Sequence, residues 1–150
     1  MAIRSRCLNF KQFNRVTKQE IVPIPDVEGH VIGVSVREGV QISEDGELAW
    51  IKASLILDFI KGAGTLDAYT THTFLGGSTF TTHTKGTVKA TPAGVPSAAK
   101  WTGDIIRGTG LFQGIKGTIT TSMKLLTPEN GEMAGKALSE GILVYTLPSK

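Results

Sequence analysis

The stretch Thr65–Ala90, TLDAYTTHTFLGGSTFTTHTKGTVKA, decides how this chain is read. Thr65 to Leu75 and Ser78 to Ala90 are rich in Thr, Tyr, Phe and Val, the β-branched and aromatic types that suit a pleated surface. Between them, Gly76-Gly77 can take the positive φ angles that a two-residue hairpin turn demands. The segment therefore predicts a long β-hairpin. With Gly76-Gly77 as the whole loop, Thr73 faces Phe80, Thr71 faces Thr82 and Tyr69 faces Thr84 on one side of the sheet. The opposite side then carries Ala68, Thr70, His72 and Phe74 with Thr79, Thr81, His83 and Lys85.

Working outward, Leu48 to Lys61 is the longest apolar segment. Its odd positions, Ile51, Ala53, Leu55, Leu57 and Phe59, are uniformly apolar, which favours a long strand over a helix. From His30 to Val36, Ile32, Val34 and Val36 alternate with Gly33, Ser35 and Arg37, the two-residue period of a half-buried strand. Cys7 to Val16 reads as a first strand, interrupted by Pro23 and Pro25. Further strands are expected over Lys100 to Arg107, Ile115 to Leu126 and Leu138 to Leu147. Thr127 to Glu132 reads as a surface turn, and Met133 to Ser139 has room for one helical turn. About eight strands separated by turn signals predict an all-β, closed antiparallel barrel, because closure removes the exposed edges such strands would present.

Length and composition fit this picture. A chain of 150 residues with 40% apolar and 19% charged residues can bury one core without staples, and residues 1–150 are taken as one domain. The net charge is +3, but the lysines and arginines are scattered, so no basic face for nucleic acid is predicted. No apolar run approaches the ~18 residues a membrane span requires, and no signal peptide is legible at the N-terminus. The single cysteine, Cys7, allows no internal disulfide, and a cytoplasmic location is the expectation.

The segment Gly108-Thr109-Gly110-Leu111-Phe112-Gln113-Gly114-Ile115-Lys116-Gly117-Thr118 lacks the spacing of a dinucleotide loop or a P-loop and is followed by a strand. It reads as a tight turn in which Phe112 plugs the end of the core, while Gly114 and Gly117 let a strand bend. Taken with Gly77-Ser78-Thr79-Phe80 and Gly86, this run resembles the allene-oxide-cyclase-like barrels, which include plant dirigent proteins. The likeness covers about Thr65 to Met123, with a looser echo from Gly141 to Pro148. It implies an eight-stranded barrel, assembled as a homodimer or homotrimer, around an apolar cavity that shapes a small hydrophobic metabolite. Phe10-Lys11-Gln12-Phe13-Asn14 offers no counterpart to the acidic residue of the plant cyclases' first strand.

Other chemistry-bearing residues are sparse. The predicted register makes His72 and His83 diagonal neighbours, but no third ligand accompanies them and no metal is expected. The family pattern puts apolar residues at the positions of Thr82 and Thr84, which turns both histidines outward. Asp58 is read as lying on the solvent side with Lys52, and Trp50 and Trp101 as core or interface packing. No nucleophile motif surrounds Cys7.

These readings combine into a barrel that binds an apolar or amphipathic molecule in a cavity lined by Tyr69, Thr71, Phe80, Thr82, Thr84, Ile115 and Ile119. The expected cavity is a few hundred Å3. Any catalysis is expected to be a cofactor-free cyclisation or isomerisation, in which cavity shape holds a flexible substrate close to its reactive conformer. The alternative is a filled barrel serving as an oligomerisation module.

Overall fold

A computed structural model describes residues 3–126 and 135–149. Eight antiparallel strands close into one barrel, each hydrogen-bonded to its sequence neighbours, with β8 returning to β1. They are β1 (Ile3–Pro23), β2 (His30–Ser43), β3 (Leu48–Ile60), β4 (Ala63–Phe74), β5 (Thr79–Ala90), β6 (Pro96–Gly108), β7 (Lys116–Leu125) and β8 (Ala137–Pro148). A 3-10 turn, Gly110–Phe112, links β6 to β7. The strand expected at Leu48 is present, with Ile51, Leu55 and Leu57 buried. β1 is longer than expected and absorbs an extra residue at a bulge between Val16 and Lys18. Of Met133 to Ser139, the segment with room for a helical turn, residues 137–139 are strand and 133–134 lie outside the described residues, as does the surface turn expected over 127–132.

Two features of register differ from the sequence reading. In the β4–β5 hairpin, Thr73 pairs with Thr79 and His72 with Phe80. Phe74 N–H donates to the Ser78 carbonyl and Gly77 N–H to the Phe74 carbonyl. The loop therefore spans Leu75, Gly76 and Gly77, not the two glycines alone. Both glycines do have positive φ, +97° and +93°, but the added loop residue slips the pairing by one. A one-residue slip sends every side chain of one strand to the other face.

The second difference is in β2. Its apolar members Ile32 and Val34 are exposed, whereas Ser35 and Arg37 are buried. Apolar-inside alternation assigns this strand the wrong phase, because its inward face meets a polar interior.

That interior is layered. At the end carrying the 3-10 turn, Leu8, Phe10, Phe80, Ile119, Leu143 and Tyr145 form an apolar plug with Phe74 and Phe112 against it. Phe112 stands edge-on to Phe80, ring centres 5.3 Å apart, as the end-plug reading expected. At the other end, Leu55, Leu57, Leu66, Val88, Met123 and Ala137 form a second cluster. Glycines admit the bulky inward rings: a Cβ on Gly141 would lie 2.5 Å from Phe10 Cζ, and one on Gly86 would lie 2.6 Å from Trp101 Cβ.

Candidate functional site

Between the two apolar clusters lies a polar belt. Along β1 the inward positions pass from Phe10 to Gln12 and Asn14; along β4, from Ala68 through Thr70 and His72 to Phe74. On β5, Phe80 gives way to Thr82 and Thr84 before Val88; on β7, Ile119 gives way to Thr121 before Met123. Arg37 and Gln41 of β2 and Ser139 of β8 complete the belt. A barrel this size holds only a few inward side chains per layer, so the belt forces its polar groups onto one another.

Gln41 Oε1 accepts from Gln12 Nε2 and from His72 Nδ1, each at 2.9 Å. A carbonyl oxygen only accepts, so the His72 proton sits on Nδ1 and Nε2 carries a lone pair. Nε2 is fully buried and has no partner among the described residues. Burial pushes the His72 pKa down to about 3, which keeps the ring neutral. The ring stacks on Phe80 at a centroid distance of 4.5 Å.

Arg37 is the belt's cation. Its Nε–H donates to Asn14 Oδ1 at 2.6 Å, and an Nη2–H donates to the Gly135 carbonyl. Burial lowers its pKa to about 10, so it remains charged at neutral pH. No carboxylate lies within ion-pair distance of it among the described residues.

Gln12, Asn14, Arg37, Thr70, His72, Thr82 and Thr121 border a chamber of about 30 Å3, closed on its other sides by Leu55, Trp101, Ile119 and Met123. That is space for a water or two, or for one small polar group. The expected cavity of a few hundred Å3 is not found inside the barrel. The end clusters plug the bore, and Gln12, Gln41, His72 and Arg37 occupy the middle.

Of the residues expected to line a cavity, Phe80, Thr82, Thr84, Ile115 and Ile119 are buried, and Thr82 and Ile119 border the chamber. Phe80 and Ile115 belong to the plug. Tyr69 and Thr71 lie on the outer face: Tyr69 is 49% exposed, and Thr71 Oγ1 meets Thr81 Oγ1 at 3.1 Å across the strands. The slipped hairpin is the cause, and it also turns His72 inward, against the expectation that both histidines point out. His83 does face outward, stacked 4.3 Å from Tyr69 and bonded through Nε2 to Asp67 Oδ1 at 2.6 Å.

Asp58 is on the solvent side, as read, and meets His30 Nε2 at 2.7 Å; Asp26 holds His30 Nδ1 at 2.6 Å. Trp101 is partly buried inside, whereas Trp50 is exposed. Sequence reasoning missed Gln12, Asn14, Arg37 and Gln41. The available signal was Gln12 and Asn14 standing in step with Leu8 and Phe10 on alternate positions of one strand.

A larger hollow of about 600 Å3 lies on the outer surface by Asn9, Lys11, Ile42, Glu44, Glu140 and Ile142. Lys11 and Glu140 are direct cross-strand partners, and Glu44 accepts from Asn9 N–H. None of the buried polar atoms without a partner borders it, so the unmet chemistry is inside the barrel despite the smaller volume. Among the described residues no group of three or more His, Cys, Asp or Glu is placed to hold a metal, and no helix is long and apolar enough to cross a membrane.

Eight antiparallel strands closed in sequence order, plugged at both ends and polar at the waist, place the chain among small up-and-down β-barrels. More narrowly, the fold is that of the dirigent proteins. The pterocarpan synthase dirigent protein GePTS1 superposes with a TM-score of 0.59 over 98% of this chain and 90% of its own, at 16% identity. PsPTS1, another pterocarpan synthase dirigent protein, gives 0.57 over 98% of this chain and 97% of its own, also at 16%. No protein-family model and no curated protein matches the sequence.

Proposed function

We propose that the barrel binds a small amphipathic organic molecule through one polar group that enters the chamber at the waist. One observation carries this reading: the chamber is bordered by His72, a fully buried side chain whose Nε2 lone pair has no partner among the described residues. A packed core leaves such an acceptor unmet only at a cost of about 1–3 kcal/mol, and a bound group that donates to it removes that cost. The fold shared with dirigent proteins, two of which bear the name pterocarpan synthase, agrees with a role in holding small organic molecules. Native mass spectrometry of the purified chain tests the reading. A retained small molecule, lost in His72→Phe, is the expected result; a ligand-free barrel that no small organic acid, alcohol or phenol stabilises in a thermal-shift panel would count against it.

A second reading, a self-associating module, is favoured by the outer surface. Leu138, Phe13, Val40 and Trp50 are successive cross-strand partners, and all four are exposed. Such an apolar row marks an interface more often than a free surface. Light scattering behind size exclusion measures it directly: a dimer or trimer supports the reading and a monomer removes it.

A further inference from the structure

We infer that the end of the barrel carrying the 3-10 turn docks on an anionic lipid surface, with Leu75 and Leu111 as the side chains that enter it. Among the described residues these are the two most exposed large apolar side chains, at 83% and 70%. The surface is separate from the chamber, and the inference does not depend on what the chamber binds.

The two leucines are held as a pair. Leu75 opens the β4–β5 loop, and Leu111 is the middle residue of the 3-10 turn between β6 and β7. Leu111 N–H donates to Ser78 Oγ at 3.0 Å, Thr79 N–H to Thr109 Oγ1 at 3.1 Å, and Thr109 N–H to the Thr79 carbonyl at 2.8 Å. A Cβ on Gly110 would lie 2.5 Å from Ser78 Oγ, so the two loops are in contact. Gly76 and Gly77, beside Leu75, carry no side chain and have open space around them. The strapped backbone thus presents both leucines to solvent with no polar side chain between Leu75 and Ser78 to screen them.

Two features select a bilayer over a protein partner. The first is size. Two leucines set among glycines offer far less apolar area than the ~800 Å2 per partner that a stable protein interface buries. A fluid bilayer needs no matching shape, because lipid closes around any apolar side chain that enters the headgroup boundary.

The second is charge. Arg107 at the end of β6 and Lys116 at the start of β7 flank the turn, and both are exposed. No Asp or Glu occurs in residues 68–82 or 105–126, so the field around the leucines is positive. The acids at this end, Glu44, Asp45 and Glu47, lie on the β2–β3 turn, opposite the β6–β7 connection around the rim. Asn9 N–H donates to Glu44, and Arg6 stands 3.8 Å from Asp45, so two of the three are engaged within the chain. Apolar tips leading and cations behind them match an anionic leaflet, whose charge lies outside its hydrocarbon.

Sedimentation of the full chain with phosphatidylcholine vesicles, with or without about a third phosphatidylglycerol, is the experiment. Binding to the anionic vesicles is expected to be at least about tenfold stronger than to the neutral ones, since each cation near the surface contributes about fivefold. High salt should release the protein. Leu75→Ser with Leu111→Ser is expected to weaken binding to the anionic vesicles at least about tenfold. Ile56→Ser removes an apolar side chain of β3 that is 59% exposed and is expected to change nothing. In the wild-type chain, a spin-labelled lipid in the anionic vesicles should relax the Leu75 and Leu111 amide resonances more than that of Ile56, a readout that needs no variant. No binding to the anionic vesicles, equal binding to both kinds, or binding that survives the double leucine variant overturns the inference. Loss of binding in Ile56→Ser also overturns it, by moving the contact to the outer wall. None of these outcomes bears on the chamber.

Discussion

His72 donates its Nδ1–H to Gln41 Oε1 at 2.9 Å inside the barrel, a contact that fixes the tautomer of a ring only 1% exposed. The consequence is an acid-sensitive fold. Unfolded, the ring titrates near 6.5; folded, burial holds it at about 3. Between these values the unfolded chain binds the additional proton, so the stabilisation is complete above 6.5 and is lost as pH falls towards 3. The loss from this group is at most ~1.4 kcal/mol per pH unit. Denaturant midpoints measured across that range should show this slope in the wild type and a shallower one in His72→Phe. Equal slopes would mean that the ring is solvated in the folded state.

His30 behaves in the opposite sense. Hydrogen bonds to Asp26 and then Asp58 raise its pKa above 6.5, so its contribution is present at low pH and is lost as pH rises through the folded value. Ile24 N–H donates to the His30 carbonyl in the same corner. Hydrogen exchange at Ile24, corrected for intrinsic rate, should lose protection as pH rises through that value, and Asp58→Asn should move the loss to lower pH. Protection that does not change with pH would show that the ion pairs do not hold the corner.

Lys61 has φ of +52° and is followed by Gly62 at +81°, the two-residue turn joining β3 to β4. Left-handed backbone is costly for a lysine and tolerable for asparagine, and Asn-Gly is the preferred pair in this turn. Lys61→Asn is expected to stabilise the protein by about 0.5–1 kcal/mol, read as a higher thermal midpoint. A lower midpoint would show that the stem of Lys61 over Gly29 matters more than backbone strain.

Gly103 on β6 faces the β5 backbone so closely that a Cβ would lie 1.9 Å from the His83 carbonyl oxygen. Backbone cannot move aside as a side-chain tip can, so Gly103→Ala should cost about 1–3 kcal/mol or prevent folding. Gly46 also has positive φ, +86°, but open space around it. Gly46→Ala should cost only about 1 kcal/mol. Chemical denaturation of the two variants orders them, and a Gly103→Ala as stable as Gly46→Ala contradicts the packing described.

On the outer row, Val40→Lys with Trp50→Lys replaces two exposed apolar residues without entering the core. Such surface changes usually alter stability by less than about 0.5 kcal/mol. If copies of the chain meet there, the double variant should run as a folded monomer while the wild type does not; an unchanged assembly places the contact elsewhere.

The strands, their number and their closure were legible in the sequence because they follow from local facts: β-branched and aromatic runs, turn glycines, and the apolar odd positions of Leu48–Ile60. Phe112 as an end plug was legible for the same reason. The site was not. Leu75 joining the loop slips the β4–β5 register by one, which exchanges Tyr69 and Thr71 for Thr70 and His72 on the inner face. Nothing in the local sequence separates a two-residue loop from a three-residue one here. Threonine, which lines both faces of that hairpin, gives the periodicity no sign.

By itself, then, the sequence determined that this protein is a ring of strands, since each strand's preference for pleated backbone is written within a few residues. Only the tertiary structure decided which side of each strand is the inside. Burial depends on what the neighbouring segments present: Arg37 is inward because Asn14 Oδ1 and the Gly135 carbonyl accept from it, while Val34 and Val40 are left outside. A charge held by partners far away in the chain leaves no local trace.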